Sequence, residues 1–150
     1  MGLLTFKGGL HPYDGKELSK DKPILEYLPK GEMVYPVSQH IGAPAAPCVA
    51  KGDRVLVGQR IAEAAGFVSA NIHSSVSGTV KAIEPRVTVS GAKVNCIVVE
   101  NDGEYEQVPL TPIGERTPEA ITQAVKDAGI VGLGGAALPT HVQLSPKEPD

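Results

Sequence analysis

The chain has 150 residues, with 14 lysines and arginines against 17 aspartates and glutamates, and a net charge of −3 at pH 7. This charge disfavours a nucleic-acid or anionic-membrane binder, because such proteins present a basic surface. No stretch reaches the ~18 to 20 apolar residues that a membrane span requires. Aromatic residues make up only 4% and tryptophan is absent, so we expect a core of aliphatic side chains.

Residues 1–32 are predicted to form an extended arm. Gly8-Gly9, Asp14-Gly15 and Lys22-Pro23 interrupt any helical or strand periodicity before an element can form. Such an arm needs contacts with other structure to be ordered, and isolated apolar residues such as Ile24 are its expected anchors.

Residues 33–115 are predicted to form a β domain. Apolar residues alternate with a period of two in short segments that are separated by glycine turns. The predicted strands are 34–37, 54–57, 60–64, 71–73, 78–83, 86–89 and 94–100. Strands this short and this close together indicate a small barrel or sandwich.

The turns of this β domain resemble those of biotinyl and lipoyl carrier domains, which are flattened barrel-sandwich hybrids. Lys51-Gly52-Asp53 and Gly58-Gln59 place two tight turns around one strand, and Ser77-Gly78 returns the chain. The carriers display a modified lysine at a hairpin tip. Here that tip is residues 64–70, which contain no lysine. The resemblance therefore implies the fold without the carrier function, since no amide to biotin or lipoate can form.

The pattern changes at residue 116. Thr117 and Pro118 are typical of a helix start, with a hydroxyl at the N-cap and proline at the first helical position. Gly129 stands where a glycine ends a helix. The residues between them form one apolar face, namely Ile121, Ala124, Val125 and Ala128. One helix and a glycine-rich loop cannot enclose a core, so residues 116–150 are predicted to be the truncated start of a second domain.

The glycine-rich loop that follows this helix is the candidate binding site. Glycines allow backbone N–H groups to approach phosphate oxygens, and Pro139 can open a helical turn whose N-terminus favours an anion. A plain helix-to-strand turn is the alternative. A dinucleotide fingerprint is disfavoured, because a helix and not a strand precedes the loop. The candidate residues are Gly132, Gly134, Gly135, Ala136, Pro139 and Thr140.

No catalytic or metal-binding constellation is predicted. The histidines never fall at i, i+4 or in H-E-x-x-H spacing, and Cys48 and Cys96 lack the spacing of a zinc or iron–sulfur site. Exposed or core packing is the interpretation of each histidine, namely His11, His40, His73 and His141.

Four sequence blocks, taken together, resemble the C subunit of the Rnf ion-translocating electron-transport complex. They are residues 5–12, residues 38–44, residues 67–70 with 73–78, and residues 129–144, and the resemblance runs in order through essentially the whole chain. Two of the blocks are specific, namely Ser38-Gln39-His40-Ile41-Gly42-Ala43-Pro44 and His73-Ser74-Ser75-Val76-Ser77-Gly78.

In that family a barrel-sandwich module precedes a domain like the flavin- and NADH-binding subunit of complex I, then a ubiquitin-like segment and a ferredoxin-type pair of 4Fe-4S clusters. The resemblance implies an N-terminal fragment that acts as a structural or docking module, is inactive alone and holds no cofactor. It implies FMN and two 4Fe-4S clusters in the intact protein, which would be peripheral on the cytoplasmic side of the bacterial plasma membrane. Bound there to other Rnf subunits, it would pass electrons between NADH and ferredoxin, coupled to ion translocation.

The glycine-rich loop is similar to the flavin-phosphate loop of complex I at all six candidate residues. Val131 and Leu133 stand where that loop has arginines, Ala137 where it has glycine, Leu138 where it has phenylalanine, and Gln143 where it has lysine. Two alternatives remain open, namely a related flavin/iron–sulfur cobalamin reductase and a non-enzymatic protein-docking module. A downstream C-x-x-C-x-x-C-x-x-x-C-P run would favour electron transfer over docking.

Overall fold

The computed structural model describes residues 12–145 and shows a mainly β protein with helices near its C-terminal end. The tail after Ser145 and the first eleven residues, with their predicted Gly8-Gly9 break, lie outside the described residues. The strands are β1 (Glu32–Pro36), β2 (Ala46–Pro47), β3 (Arg54–Val55), β4 (Arg60–Glu63), β5 (Ile72–His73), β6 (Gly78–Val87) and β7 (Lys93–Asn101). The helices are α1 (Pro118–Asp127) and α2 (Thr140–Gln143).

The strands form two antiparallel sheets around one aliphatic core. The larger sheet has the order β1-β7-β6-β3, and the smaller has the order β2-β4-β5. The core contains Tyr35, Ala45, Val55, Ile61, Ala62, Ile72, Val76, Val80, Ile97 and Val99. A curled sheet closed by a smaller one fits the predicted barrel-sandwich hybrid, and the prediction of a mainly β domain is confirmed.

Strand β6 corrects one sequence prediction. The sequence predicts two strands that are separated by Pro85, but β6 continues through this proline, which lies opposite Asn95 of β7. Strand β3 pairs only with Gly78 and Thr79, so within the described residues the outer edge of β6 carries no further strand beyond Val80. Proline lacks a backbone N–H, and an edge of this kind tolerates that loss.

The arm contains no helix or strand between residues 12 and 31. Its last residues are fixed to the barrel, because the Pro29 carbonyl accepts hydrogen bonds from Tyr105 Oη at 2.5 Å and Asn101 Nδ2 at 2.7 Å. Ile24 is fully exposed, and the expectation that it anchors the arm is therefore wrong.

Helix α1 begins and ends as predicted. Thr117 Oγ1 accepts a hydrogen bond from the Ala120 N–H at 3.2 Å, and Gly129 follows the helix with a φ of +66°. None of its residues is buried, and its apolar face lines an open groove together with Ile113 and Ile130. The described residues after 115 contain only α1, α2 and one isolated bridge, so a complete α/β flavin-binding domain is not in this fragment.

No helix between residues 12 and 145 has both the length and the apolar character needed to cross a membrane.

Candidate functional site

The glycine-rich loop is a hairpin-like excursion with a closed base. Val131 and Pro139 form an antiparallel bridge, and the Gly132 N–H donates to the Leu138 carbonyl at 3.0 Å. Thr140 donates its N–H to the Ile130 carbonyl at 3.0 Å, which ties α2 to the same base. Of the six predicted residues, Gly132, Pro139 and Thr140 therefore form the base, while Gly134, Gly135 and Ala136 lie at the exposed tip.

The loop tip carries four consecutive backbone N–H groups, those of residues 133–136, that have no acceptor within the described residues. Gly135 has a φ of +61°, and a Cβ built on Gly134 meets no atom of residues 12–145 within 4 Å. Ala137 holds a left-handed backbone with a φ of +53°, which is costly for a residue with a Cβ. The tip thus offers adjacent amide donors and open space beside them, and both features suit an oxyanion.

Helix α2 begins directly after Pro139, as the sequence predicts, and an anion at its N-terminus stays a prediction. It is a single turn of four residues. Thr140 donates its N–H to Ile130 and Val142 donates to Pro139 at 3.0 Å, while the His141 N–H has no acceptor among the described residues. The four adjacent amide donors without an acceptor lie earlier in the chain, at residues 133–136 of the loop tip.

The hairpin tip at residues 64–70, where carriers display their lysine, is fixed by a neighbouring loop. Ala43 donates its N–H to the Val68 carbonyl at 3.0 Å, and Ser69 Oγ donates to the Ala43 carbonyl at 2.8 Å. His40 Nε2 accepts from the Ala70 N–H at 3.1 Å. Residues 38–45 and 64–73 together form a surface that we call the barrel end.

The C-terminal segment is joined to the barrel end at two places, one in the glycine-rich loop and one in α2. The Ile41 N–H donates to the Ala136 carbonyl at 3.0 Å. His141, which is buried, donates from Nε2 to the Phe67 carbonyl at 2.9 Å, and the two rings meet edge to face with centroids 5.9 Å apart. The loop tip therefore contacts the 38–45 loop, and α2 contacts the 64–70 hairpin tip itself.

A third contact joins the end of α1 to β5. Asn71 Nδ2 donates to the Asp127 carbonyl at 3.1 Å. A Cβ built on Gly129 would overlap the Asn71 carbonyl oxygen and lie 3.2 Å from His73 Nδ1. Glycine is needed at this position both for the left-handed turn and for the close approach of the two backbones.

A cleft of about 420 Å³ lies beside this third contact and includes Tyr35, His73, Ser75 and Gly129 in its lining. Burial, with a smaller contribution from the positive charge of Arg60, lowers the pKa of His73 below its ordinary value of 6.5. The Tyr35 and Ser75 hydroxyls are hydrogen-bonded to each other at 2.9 Å, so they already satisfy one another. Within residues 12–145 no group of three or more histidine, cysteine or acidic side chains could hold a metal ion.

The sequence predicts the loop and the specific blocks, but it does not predict that they lie close together. The Ser38–Pro44 block, the 67–70 segment and the 129–144 block meet at the barrel end. A local pattern gives no sign of such contacts, which join residues up to 95 positions apart along the chain, as between Ile41 and Ala136. The sequence offers one sign of these contacts, namely the glycines at 42 and 129. Both lie where two backbones approach closely.

These features define a barrel-sandwich hybrid domain whose lysine-free hairpin tip is contacted by its own C-terminal segment. Residues 4–104 match the RnfC barrel sandwich hybrid domain. The chain belongs to this RnfC family, and the resemblance drawn from its sequence blocks is confirmed.

The relatives of the chain are C subunits of ion-translocating oxidoreductase complexes. It is 48% identical over 146 residues to the C subunit of the Na⁺-translocating ferredoxin:NAD⁺ oxidoreductase complex of Acetobacterium woodii, covering 94% of this chain and 33% of the relative. It is 44% identical over 149 residues to the C subunit of the proton-translocating ferredoxin:NAD⁺ oxidoreductase complex of Clostridium ljungdahlii, covering 96% and 32%. The C subunit of the ion-translocating oxidoreductase complex of Vibrio cholerae is 38% identical over 147 residues, covering 95% and 19%. The chain thus spans a third or less of the length of these relatives.

Proposed function

We propose that this chain is the N-terminal module of the C subunit of an ion-translocating electron-transport complex. The single observation that carries the proposal is its identity of 38–48% to three relatives that bear that name. The intact protein then acts between NADH and ferredoxin, with FMN and two 4Fe-4S clusters, at the cytoplasmic side of the plasma membrane. The barrel serves as a docking module, and it contributes no redox group.

The coupling ion is set elsewhere than in this module. Two of the relatives are named for different ions, sodium and protons, yet this chain is similar to both at 48% and 44% identity. A module that is shared so closely between the two kinds of complex is a poor candidate for ion selection. Other subunits, as membrane partners of this one, would supply that property.

Residues 116–145 are proposed to be the first part of the flavin domain. The apolar face of α1 supports this, because Ile121 remains 42% exposed and lines an open groove with Ile113 and Ile130. Amphipathic helices ordinarily bury such a face against a core. The relatives are at least about three times as long as this chain, and we propose that further residues of the intact protein cover this groove.

The glycine-rich loop is proposed to bind the phosphate of FMN. Its four adjacent N–H groups and the open space at Gly134 suit a phosphate group. When bound, FMN supplies hydride and single-electron chemistry, whereas the protein supplies binding and orientation. Val131, Leu133 and Gln143 bring no positive charge, so backbone donors carry the attraction.

The competing function is a docking module without any cofactor, in which the glycine-rich loop binds no flavin and is only a turn. The observation that favours it is the same lack of cations at the loop, together with the base hydrogen bonds that stabilise the loop without any ligand. Under this alternative a side chain added at the tip has no effect on flavin.

The test is Gly134→Val in the full-length protein. A Cβ at Gly134 meets no atom of the described residues within 4 Å, so we expect the fold to be preserved while the side chain occupies the space of the ligand. We expect flavin affinity to fall about tenfold or more, as the loss of one or two charge-assisted hydrogen bonds implies. Gly114→Val is the matched control, since Gly114 also has open space around it and no left-handed φ. If Gly134→Val binds flavin as tightly as Gly114→Val and the wild type do, the docking alternative is favoured.

A further inference from the structure

We propose that His141 is a positioning residue that fixes the glycine-rich loop on the barrel end, with the carrier-type hairpin tip as its support. The proposal rests on the proposed function in one respect, since positioning matters for a loop that binds a ligand. The hairpin tip that presents a lysine in carriers would then present a backbone carbonyl to the loop segment.

The first observation is the environment of His141. Its side chain is buried, and it pairs with the backbone carbonyl and the ring of Phe67. Helix α2 has only four residues, which is far too short to be stable by itself. Its orientation must therefore come from contacts with the rest of the chain. Thr140 is bonded to Ile130 at the loop base, and the contact between His141 and Phe67 is the one that a side chain of α2 makes with the barrel end.

The second observation is that the loop is attached on both sides of its strained part. Ala136 is bonded through its carbonyl to Ile41, and His141 is bonded to Phe67. Between these two attachments lies Ala137, with its left-handed backbone. The Gly132–Leu138 hydrogen bond and the Ala136–Ile41 attachment bracket the 133–136 amides, and the His141–Phe67 attachment holds the segment that follows them. Together these contacts fix the loop before any ligand arrives, and such preorganisation reduces the entropic cost of binding.

The structure also provides a reporter for this attachment. The Ile41 N–H belongs to the barrel end but donates to the Ala136 carbonyl, so it is protected from exchange only while the loop is docked. The Ala43 N–H lies two residues away and donates to Val68 inside the barrel end. Comparing these two amides separates undocking of the loop from unfolding of the barrel.

The experiment is native-state hydrogen exchange by NMR on the 150-residue chain. In His141→Leu, which keeps an apolar side chain but loses the donor, we expect the Ile41 amide to exchange roughly tenfold faster through the loss of a buried hydrogen bond. The Ala43 amide should be unchanged. His141→Gln restores a donor and should bring Ile41 back to within about threefold of wild type. Gln143→Ala, at an exposed position of the same helix, should leave both rates unaltered.

Two results would overturn the inference. Unchanged Ile41 exchange in His141→Leu would show that the contact does not hold the loop. Equal acceleration of Ile41 and Ala43 would show that His141 stabilises the barrel as a whole. Neither measurement involves flavin, so the inference can fail while the phosphate proposal stands. The reverse case, a docked loop that binds no flavin, is detected by Gly134→Val in the full-length protein.

Discussion

Three glycines in the C-terminal segment allow the contribution of the contact between α1 and β5 to stability to be measured. Gly129 has both a left-handed backbone and a neighbouring backbone in its way, Gly135 has only the left-handed backbone, and Gly134 has neither. Alanine at each position therefore separates conformational strain from steric overlap. We predict that the cost rises in the order Gly134, Gly135, Gly129.

The magnitudes follow from the geometry. Gly134→Ala should lie within about 0.5 kcal/mol of wild type, as exposed substitutions usually do. Gly135→Ala should cost about 1 to 2 kcal/mol, the penalty of a left-handed backbone for a residue with a Cβ. Gly129→Ala adds an overlap with the Asn71 carbonyl, and a backbone atom cannot rotate away. Moving α1 from β5 also breaks the Asn71–Asp127 hydrogen bond, so the total cost is about 2 to 3 kcal/mol.

The assay combines urea denaturation, followed by circular dichroism, with hydrogen exchange at the Ile41 amide. If the C-terminal segment undocks before the barrel unfolds, the cost of Gly129→Ala appears in the exchange rate and not in the urea midpoint. If the chain unfolds as one unit, it appears in both. Equal effects of Gly129→Ala and Gly135→Ala in both measurements would refute the close approach of the two backbones.

Three further predictions concern charge and modification. Burial lowers the pKa of His73, so the unfolded chain takes up this proton first as the pH falls below about 6.5, and stability decreases there. In His73→Gln, the free energy of unfolding from urea titrations should therefore fall less between pH 7.5 and pH 5.5 than it does in the wild type. An equal fall in both would contradict the prediction. Lys51 and Lys81 lie outside the 64–70 tip, so coexpression with biotin or lipoate ligase should add no mass to the intact chain, and an increment at either lysine would contradict it. Gln143→Lys in the full-length protein should tighten flavin binding by up to about fivefold, and unchanged affinity would count against the alignment with complex I.

Much of the barrel could be predicted because its signals are local. The alternation that leads into β7 and the Thr117-Pro118 start of α1 each depend on residues within one or two turns of chain. The predicted break at Pro85 was wrong because it depends on a contact that is not local. Whether a proline ends a strand depends on what pairs with its far edge, and the sequence alone does not reveal that β3 stops at Val55.

The candidate site could be predicted only as a loop. Glycine spacing indicated a place where backbone amides can meet an anion, and the structure places four such amides there without acceptors in the described residues. The attachment to the barrel end could not be predicted. A buried histidine and an exposed one have the same sequence signal, and the partner of His141 is a backbone carbonyl that any residue at position 67 would provide.

The outer edge of β6 has a consequence for how copies of this chain behave towards one another. An unpaired strand edge is a template for edge-to-edge aggregation. Here the register of β6 against β7 shifts between Val80 and Ala82, Pro85 removes a donor, and Glu84 and Arg86 form an ion pair at 2.5 Å. An irregular, charged and proline-bearing edge resists addition of a strand from another molecule. The β6–β7 hairpin can thus leave Val87 largely exposed and still discourage edge-to-edge aggregation of the free chain.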